Sequence, residues 1–399
     1  MQTGSFQWMK SINKSIVLNK IRSEGPISRA QIAKETNLTP PTVSANVREL
    51  IEQGIVKESR LGDSQGGRKP TMLVINSSDF YIIGLDAGPT EVEFGLADLS
   101  GTVIHHLRAN INLMEETAFL NVVKKGIHDL LNEIPLMRDK VIGIGVAMHG
   151  VVDISTGTSL FAPNLHLRNI PIKEELEKEF GFLVKVENDA RAMALGEAWF
   201  GSGENVTSMV AVNVGRGIGS GVVINGELYH GEYDIAGELG HMAIDVHGRR
   251  CACGSNGCLQ TVASGPAVAE RAVESLKNHS ESKIWELIEG DLGRVSGEII
   301  FTAAEAGDPL AADILRQTGE YLGIGLTNLI HIINPTKIII GGGVSASGKY
   351  VLDQIRQTIQ ERALTQQAKQ TKVVITEFGS QATMLGAVAL LLVELFQPQ

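Results

Sequence analysis

Apolar side chains recur at helical spacing near the start of the chain. Ile12, Ile16, Val17, Leu18 and Ile21 mark one face of a helix over residues 12–23, and Gly25-Pro26 stops it. Ser28 is placed to cap a short second helix carrying Ala30, Ile32 and Ala33. After the turn Asn37-Leu38-Thr39, Thr39 can cap a third helix. Its first turn accepts Pro40 and Pro41, because no hydrogen bond is lost there. That helix is expected from Thr42 to Gln53, with Val43, Val47, Leu50 and Ile51 inward and Thr42, Ser44, Asn46 and Arg48 outward. Short strands follow at Ile55-Val56-Lys57 and Met72-Leu73-Val74-Ile75, around a basic, glycine-rich tip at residues 62–70. Two short helices joined by a tight turn, then a hairpin, predict a winged helix-turn-helix.

From Phe80 the pattern changes to strand, glycine turn, strand. Residues 81–86 lead through Ala87-Gly88-Pro89-Thr90 into residues 91–98, with a third strand at 102–107, an amphipathic helix over 118–133 and a buried strand at 141–147. The grammar repeats later. Residues 209–214 lead through Gly215-Arg216-Gly217 into Val222-Val223-Ile224. Lys337-Ile338-Ile339-Ile340 runs into three glycines, and Val373-Val374-Ile375 precedes a helix over 381–396. Two similar halves predict a duplicated α/β fold with a ligand between them.

Charge alters this picture. The net charge is −10, but residues 1–70 carry 11 Lys/Arg against 6 Asp/Glu, while the remainder carries 24 against 39. A basic head on an acidic body fits a DNA-binding module on an effector domain. Arg48, Arg68 and Lys69, with Ser28, Arg29, Thr42, Ser44 and Asn46, are the candidate DNA contacts: helix residues for base edges, wing residues for phosphates or a minor groove. A head of the same shape that docks a protein is the alternative. The 44 glycines exceed the usual ~7% without any collagen period. No apolar run of the ~18 residues needed for a membrane span is expected, nor a signal-peptide core. Cys251, Cys253 and Cys258 lie too close together for a disulfide framework, so a cytoplasmic setting is expected.

These three cysteines with His241 supply three thiolates and an imidazole, the donor set of a tetrahedral zinc site. Gly254 and Gly257 permit the reversal that returns Cys258. Buried thiols and a core histidine are the alternative.

Several stretches, taken together, resemble the ROK family of repressors, open reading frames and sugar kinases, and the head resembles its xylose-repressor branch. They are Gly25-Pro26-Ile27-Ser28-Arg29-Ala30, Gly66-Gly67-Arg68-Lys69-Pro70, Glu187-Asn188-Asp189-Ala190, Glu238-Leu239-Gly240-His241-Met242, Cys251-Ala252-Cys253-Gly254 and Gly257-Cys258. The resemblance implies an α/β fold in which a winged helix-turn-helix precedes a duplicated, actin-like (ribonuclease-H-like), two-lobed ROK domain. The expected boundaries are 1–76, 77–190 and 191–399, with the C-terminal helix packing back on the first lobe. It also implies a structural zinc with His241 as fourth ligand.

A sugar needs side chains that donate and accept in fixed directions, and Asn164, Asn188, Asp189, Glu238 and His241 supply them. By resemblance they line the hexose site, and Asp189 would be the general base of a kinase. An Asn-Asp turn that only caps the next helix is the alternative. Gln260 stands where the family has glutamate, and Met148-His149-Gly150 where proline-glycine is common, which leaves xylose, glucose or an amino sugar open.

The kinases of the family resemble each other in a D-x-G-G-T-K loop and a G-T-G loop that hold ATP phosphates. Here Pro89 offers no N–H, Glu91 places a carboxylate where a cation is usual, and Arg216 replaces a small hydroxyl. ATP-Mg binding and kinase activity are therefore expected to be lost. The resulting expectation is a sugar-responsive repressor of operator DNA, working as a homodimer or tetramer. A sugar kinase with a regulatory head is the competing enzyme reading.

Overall fold

A computed structural model describes residues 6–61, 69–111, 115–135, 137–203 and 206–396. In the head, α1 (Phe6–Glu24), α2 (Arg29–Thr36) and α3 (Pro40–Glu52) pack on β1 (Ile27–Ser28), β2 (Val56–Leu61) and β3 (Thr71–Ile75). The strands form an antiparallel sheet in the order β1-β3-β2. Caps set the helix boundaries. The Ser28 hydroxyl accepts from the Gln31 amide at 3.2 Å, Asn37 closes α2 with φ +57°, and Thr39 accepts from the Thr42 amide at 3.3 Å. β1 was not expected from sequence. A two-residue strand has no period to read, and only its pairing with Met72 and Leu73 defines it.

The body contains two sheets of one design. In the first lobe, β4 (Tyr81–Ala87), β5 (Glu91–Asp98) and β6 (Val103–Asn110) form an antiparallel meander, and α4 (Glu116–Glu133) follows. Next come β7 (Val141–Met148) and a small sheet of β8 (Val151–Asp153), β9 (Thr158–Ala162) and β10 (Leu167–Ile170). Helix α5 (Ile172–Phe180) leads to β11 (Leu183–Asn188), giving the order β11-β7-β4-β5-β6. Helix α6 (Asp189–Phe200) then crosses to the second lobe.

There β12 (Ser208–Val214), β13 (Ile218–Ile224) and β14 (Glu227–Tyr229) repeat the meander. Residues 260–336, to which no element was assigned from sequence, are largely helical: α7 (Gln260–Ala263), α8 (Gly265–Leu276), α9 (Ile284–Leu287), α10 (Gly297–Glu305) and α11 (Pro309–Ile333). The chain closes with β15 (Lys337–Gly341), α12 (Gly348–Arg362), α13 (Gln366–Lys369), β16 (Lys372–Ile375) and α14 (Ala382–Phe396). The order β14-β13-β12-β15-β16 matches the first sheet strand for strand: an antiparallel meander with two parallel strands added beside its first strand. This is the duplication the glycine turns indicated.

Helix α14 is the central spine. A Cβ on Gly145 of β7 would lie 1.8 Å from the Ala387 carbonyl oxygen, so helix and strand meet at backbone distance. A Cβ on Gly386 would lie 1.9 Å from the Ala192 oxygen, so α14 and α6 also cross in backbone contact. Further along, Val388, Leu391, Leu392 and Phe396 share one apolar cluster with Val17, Leu18 and Ile21 of the head and Ile82 and Ala97 of the first sheet. The head is thus seated on the spine. One expectation needs correcting here. Gly379–Phe396 is long and apolar enough to cross a membrane by length and composition, with mean hydropathy 1.6, although 61% of it is buried inside the protein. Helices apolar on all sides are buried ones, whether in lipid or in a protein core.

Candidate functional site

The head presents α3 with Arg48 exposed and Thr42 and Ser44 half-buried. Asn46, expected on the outer face, is only 4% exposed; its amide turns back to the Thr42 carbonyl at 2.9 Å, so it holds the helix and does not face outward. Ser28 is also buried, its hydroxyl used as the α2 cap. Arg29 pairs with Glu58 of β2 at 2.9 Å. Lys69 is exposed, and Arg68, with the wing tip, lies outside the described residues.

Asn188 and Asp189 lie where β7 and β11 end side by side, with Met148 opposite Asn188. Ligand sites in α/β folds sit at such strand ends. Asn188 caps α6: its Oδ1 accepts from the amides of Ala190 at 3.0 Å and Arg191 at 3.2 Å. Its Nδ2 donates to the Gly150 carbonyl at 2.8 Å and to Asp189 Oδ1 at 2.9 Å. One Asp189 oxygen is thereby occupied. The other, Oδ2, faces His149 Nδ1 at 3.6 Å. Asn164, on a short turn after β9, places its Nδ2 2.8 Å from His149 Nε2. Asn164, Asn188 and Asp189 therefore converge, joined by a histidine that has no assigned role on sequence grounds.

Glu238 and His241 arrive on a different segment, secured from two sides. The Ser220 hydroxyl donates to the Gly237 carbonyl at 2.7 Å. Buried Glu187 takes Arg191 Nε and His230 Nε2, each at 2.7 Å, and Arg191 reaches on to the Asp234 carbonyl. Burial works to raise the Glu187 pKa, but His230 and Arg191 outweigh it and hold the carboxyl below its usual range. This ionic clasp joins the start of α6 to the segment carrying Glu238 and His241. Sequence reasoning missed it, although Glu187 stands in the motif quoted above.

The four candidate metal ligands come together. The nearest donor atoms of His241, Cys251, Cys253 and Cys258 all lie within 4.8 Å of one another. Cys253 Sγ to Cys258 Sγ is 3.7 Å, and Cys251 Sγ to His241 Nδ1 is 3.7 Å. Zinc–sulfur bonds of ~2.3 Å in a tetrahedron put two sulfurs about 3.8 Å apart, so the residues fit that ion. Burial pushes the Cys258 thiol up to about 12, helped by the other two cysteines. Burial also acts to raise Cys251, but hydrogen bonds from the Cys253 amide, Gln260, Cys253 and His241 bring it down to about 6. One thiolate forms readily and the last does not, which is the arrangement a dication would relieve. Gln260, a candidate sugar residue, donates its Nε2 to Cys251 Sγ at 3.2 Å and so supports this loop.

A cavity of about 490 Å³ opens between the lobes, lined by the first glycine turn and by Gly342 and Gly343 after β15. Its carboxylates are Asp86, Glu91 and Glu93, Pro89 forms part of its wall, and no lysine or arginine is among its described lining residues. Burial, and then Asp189, Glu93 and Glu91, push the Asp86 pKa well above the ordinary carboxylate range. Arg216 is exposed.

Helix α6 links pocket and head. Its 12 residues, about 18 Å of helix, begin at Asp189 and reach Trp199 in the last turn. The Arg22 guanidinium of α1 lies 4.0 Å from the Trp199 ring centroid, and Trp199 meets Phe396 edge-on at 5.3 Å. The Phe396 carbonyl accepts from Asn19 of the head at 3.1 Å and from Ser15.

The architecture defines a class: a winged helix joined to a two-lobed, duplicated sugar-kinase-like body. Residues 16–57 match the winged helix-turn-helix DNA-binding family, and residues 82–394 match the ROK family. The chain belongs to the ROK family. It is 35% identical over 393 residues to a putative xylose repressor of Caldicellulosiruptor sp. (strain Rt8B.4), covering 98% of this chain and 97% of that one. It is similar to the crystal structure of a ROK family transcriptional regulator described as a homologue of the E. coli MLC protein, with TM-score 0.86, 32% identity and coverage of 98% and 97%. A ROK family glucokinase from Streptomyces griseus, solved with glucose and AMPPNP, matches at TM-score 0.72 and 31% identity, covering 78% of this chain and 98% of that one. The regulator match covers nearly the whole of this chain, and the kinase match about four fifths of it.

Proposed function

We propose that the protein is a cytoplasmic, sugar-responsive repressor of carbohydrate-utilisation genes. The heads of an even-numbered homo-oligomer bind a roughly palindromic operator, with Arg48, Thr42, Ser44, Arg68 and Lys69 toward DNA. A sugar of the xylose or glucose type binds between the lobes at Asn164, Asn188, Asp189, Glu238 and His241. It favours the arrangement of heads that does not fit DNA, so binding shifts the population away from the operator. Zinc held by His241, Cys251, Cys253 and Cys258 would keep the Glu238–His241 segment in shape; Gln260 steadies that loop.

The observation that carries this reading is α6, with pocket residues at its first turn and the head stacked on its last. A change in lobe angle at Asp189 has a direct mechanical outlet at Arg22. Phosphoryl transfer is disfavoured on this reading: Pro89 gives no amide to a phosphate, and Glu91 adds a carboxylate to the cavity wall.

The test is fluorescence anisotropy with duplexes selected by the protein from a random pool. Binding weakens with salt, sugar weakens it further, and Arg48→Glu lowers affinity by about 100-fold, from lost and reversed backbone or base contact at two heads. DNA binding that ignores every sugar would refute the proposal. The kinase reading draws on the persistence of Asp86, Asp189 and the glycine turns. Sugar-dependent ADP production under saturating ATP-Mg would establish it instead.

A further inference from the structure

We infer that His149 determines sugar specificity, by reading one hydroxyl group jointly with Asp189. The inference rests on the sugar-pocket reading above and adds to it a residue with a defined hydrogen-bonding role.

The backbone around His149 is fixed on all sides. Its amide donates to the Ala87 carbonyl at 3.3 Å, where β7 leaves the sheet beside β4. Gly150 follows at φ +100°, where a Cβ would lie 2.2 Å from the Phe161 oxygen, and its carbonyl accepts from Asn188. The imidazole lies between Asn164 and Asp189. It is held there with 17% of its side chain exposed, against 22% for Asp189.

The hydrogen bonds decide the tautomer. The Asn164 amide nitrogen is a donor, so Nε2, at 2.8 Å from it, accepts. The ring proton is then on Nδ1, which faces Asp189 Oδ2 at 3.6 Å. That separation is too long for a good hydrogen bond between the two. One hydroxyl oxygen can sit about 2.8 Å from each, off the line that joins them, and a small opening of the pair relaxes its angle toward tetrahedral. The hydroxyl donates its proton to the carboxylate and accepts from Nδ1–H. A hydroxyl is the sugar group able to do both at once. Deoxygenation loses both contacts and leaves a donor and an acceptor poorly paired.

Proline in this place has no side-chain donor, so His149 adds a requirement that a proline-glycine turn does not impose. Asn164 orients the imidazole and is thereby a positioning residue.

The experiment is a binding cycle on the full-length protein, by calorimetry and thermal shift. The probes are D-xylose, D-glucose, N-acetyl-D-glucosamine and the monodeoxy analogues of D-xylose and D-glucose. The protein forms are wild type, His149→Ala and His149→Gln. In wild type, one monodeoxy analogue of the sugar that binds loses affinity by far more than the others. In His149→Ala the penalty for that same deoxygenation shrinks about tenfold, the worth of one buried hydrogen bond. His149→Gln keeps an amide donor and restores part of the discrimination, which a purely structural role would not do. Sugar binding with unchanged discrimination in His149→Ala overturns the role of His149 alone. A wild-type protein that binds none of the sugars overturns the pocket reading and this inference with it.

Discussion

On the proposed reading, the two ends of the interlobe cleft do different jobs: one takes the sugar, the other corresponds to the phosphate loops of a kinase. At the sugar end the polar side chains are engaged and directed: Asn188 caps α6, Asn164 holds His149, and Asp189 keeps one oxygen for a ligand. At the other end the first glycine turn remains, but Pro89 and Glu91 line the cavity where a phosphate would need donors and cations. In that reading sugar binding and phosphoryl transfer would use different parts of one cleft. The first can persist as a signal when the second is gone, provided that something other than chemistry reads it. Helix α6 and the head stacked on its far end would supply that reader.

The largest effect is expected at the metal. Chelation, or Cys258→Ser with loss of bound zinc by elemental analysis, should abolish the sugar response, because the segment bearing Glu238 and His241 loses its anchor. A full response in metal-free protein would remove zinc from the sugar end. Next, Asp189→Asn should weaken sugar binding about 10- to 100-fold, the range for a hydrogen bond to a charged group, and leave operator affinity without sugar unchanged. Calorimetry and anisotropy on the same preparation separate the two. Trp199→Ala should leave both affinities close to wild type and reduce their coupling by about tenfold or less, as one cation–π contact and one edge-on ring pair are lost. If coupling is unchanged, the signal does not pass through this end of α6. The smallest effect is expected at the phosphate end: ATP-Mg should produce no ADP with any sugar and no shift in sugar affinity.

Much of this is legible in the sequence where the signal is local. Caps at Ser28 and Thr39, the repeated glycine turns and the clustered cysteines each place an element or a site from residue order alone. Faces are harder. Asn46 looks like a solvent-facing polar residue until its amide is seen returning to Thr42, and nothing in the order of residues shows that Gln260 also donates to Cys251. The second lobe's helices between 260 and 336 carry ordinary amphipathic patterns, but they lie between the more conspicuous glycine-rich stretches. Contacts across the fold have no sequence signal at all. Arg22 meets Trp199, and His149 stands between Asn164 and Asp189, only because separate strands and helices end at the same place.

The central claim is that a sugar in the cleft controls the head without being phosphorylated. One titration tests it most directly: anisotropy of a labelled operator duplex against sugar, in ATP-Mg, with ADP measured in the same cuvette. Saturable release of DNA with no ADP formed is the expected result. ADP production that tracks sugar, with the DNA still bound, would contradict it.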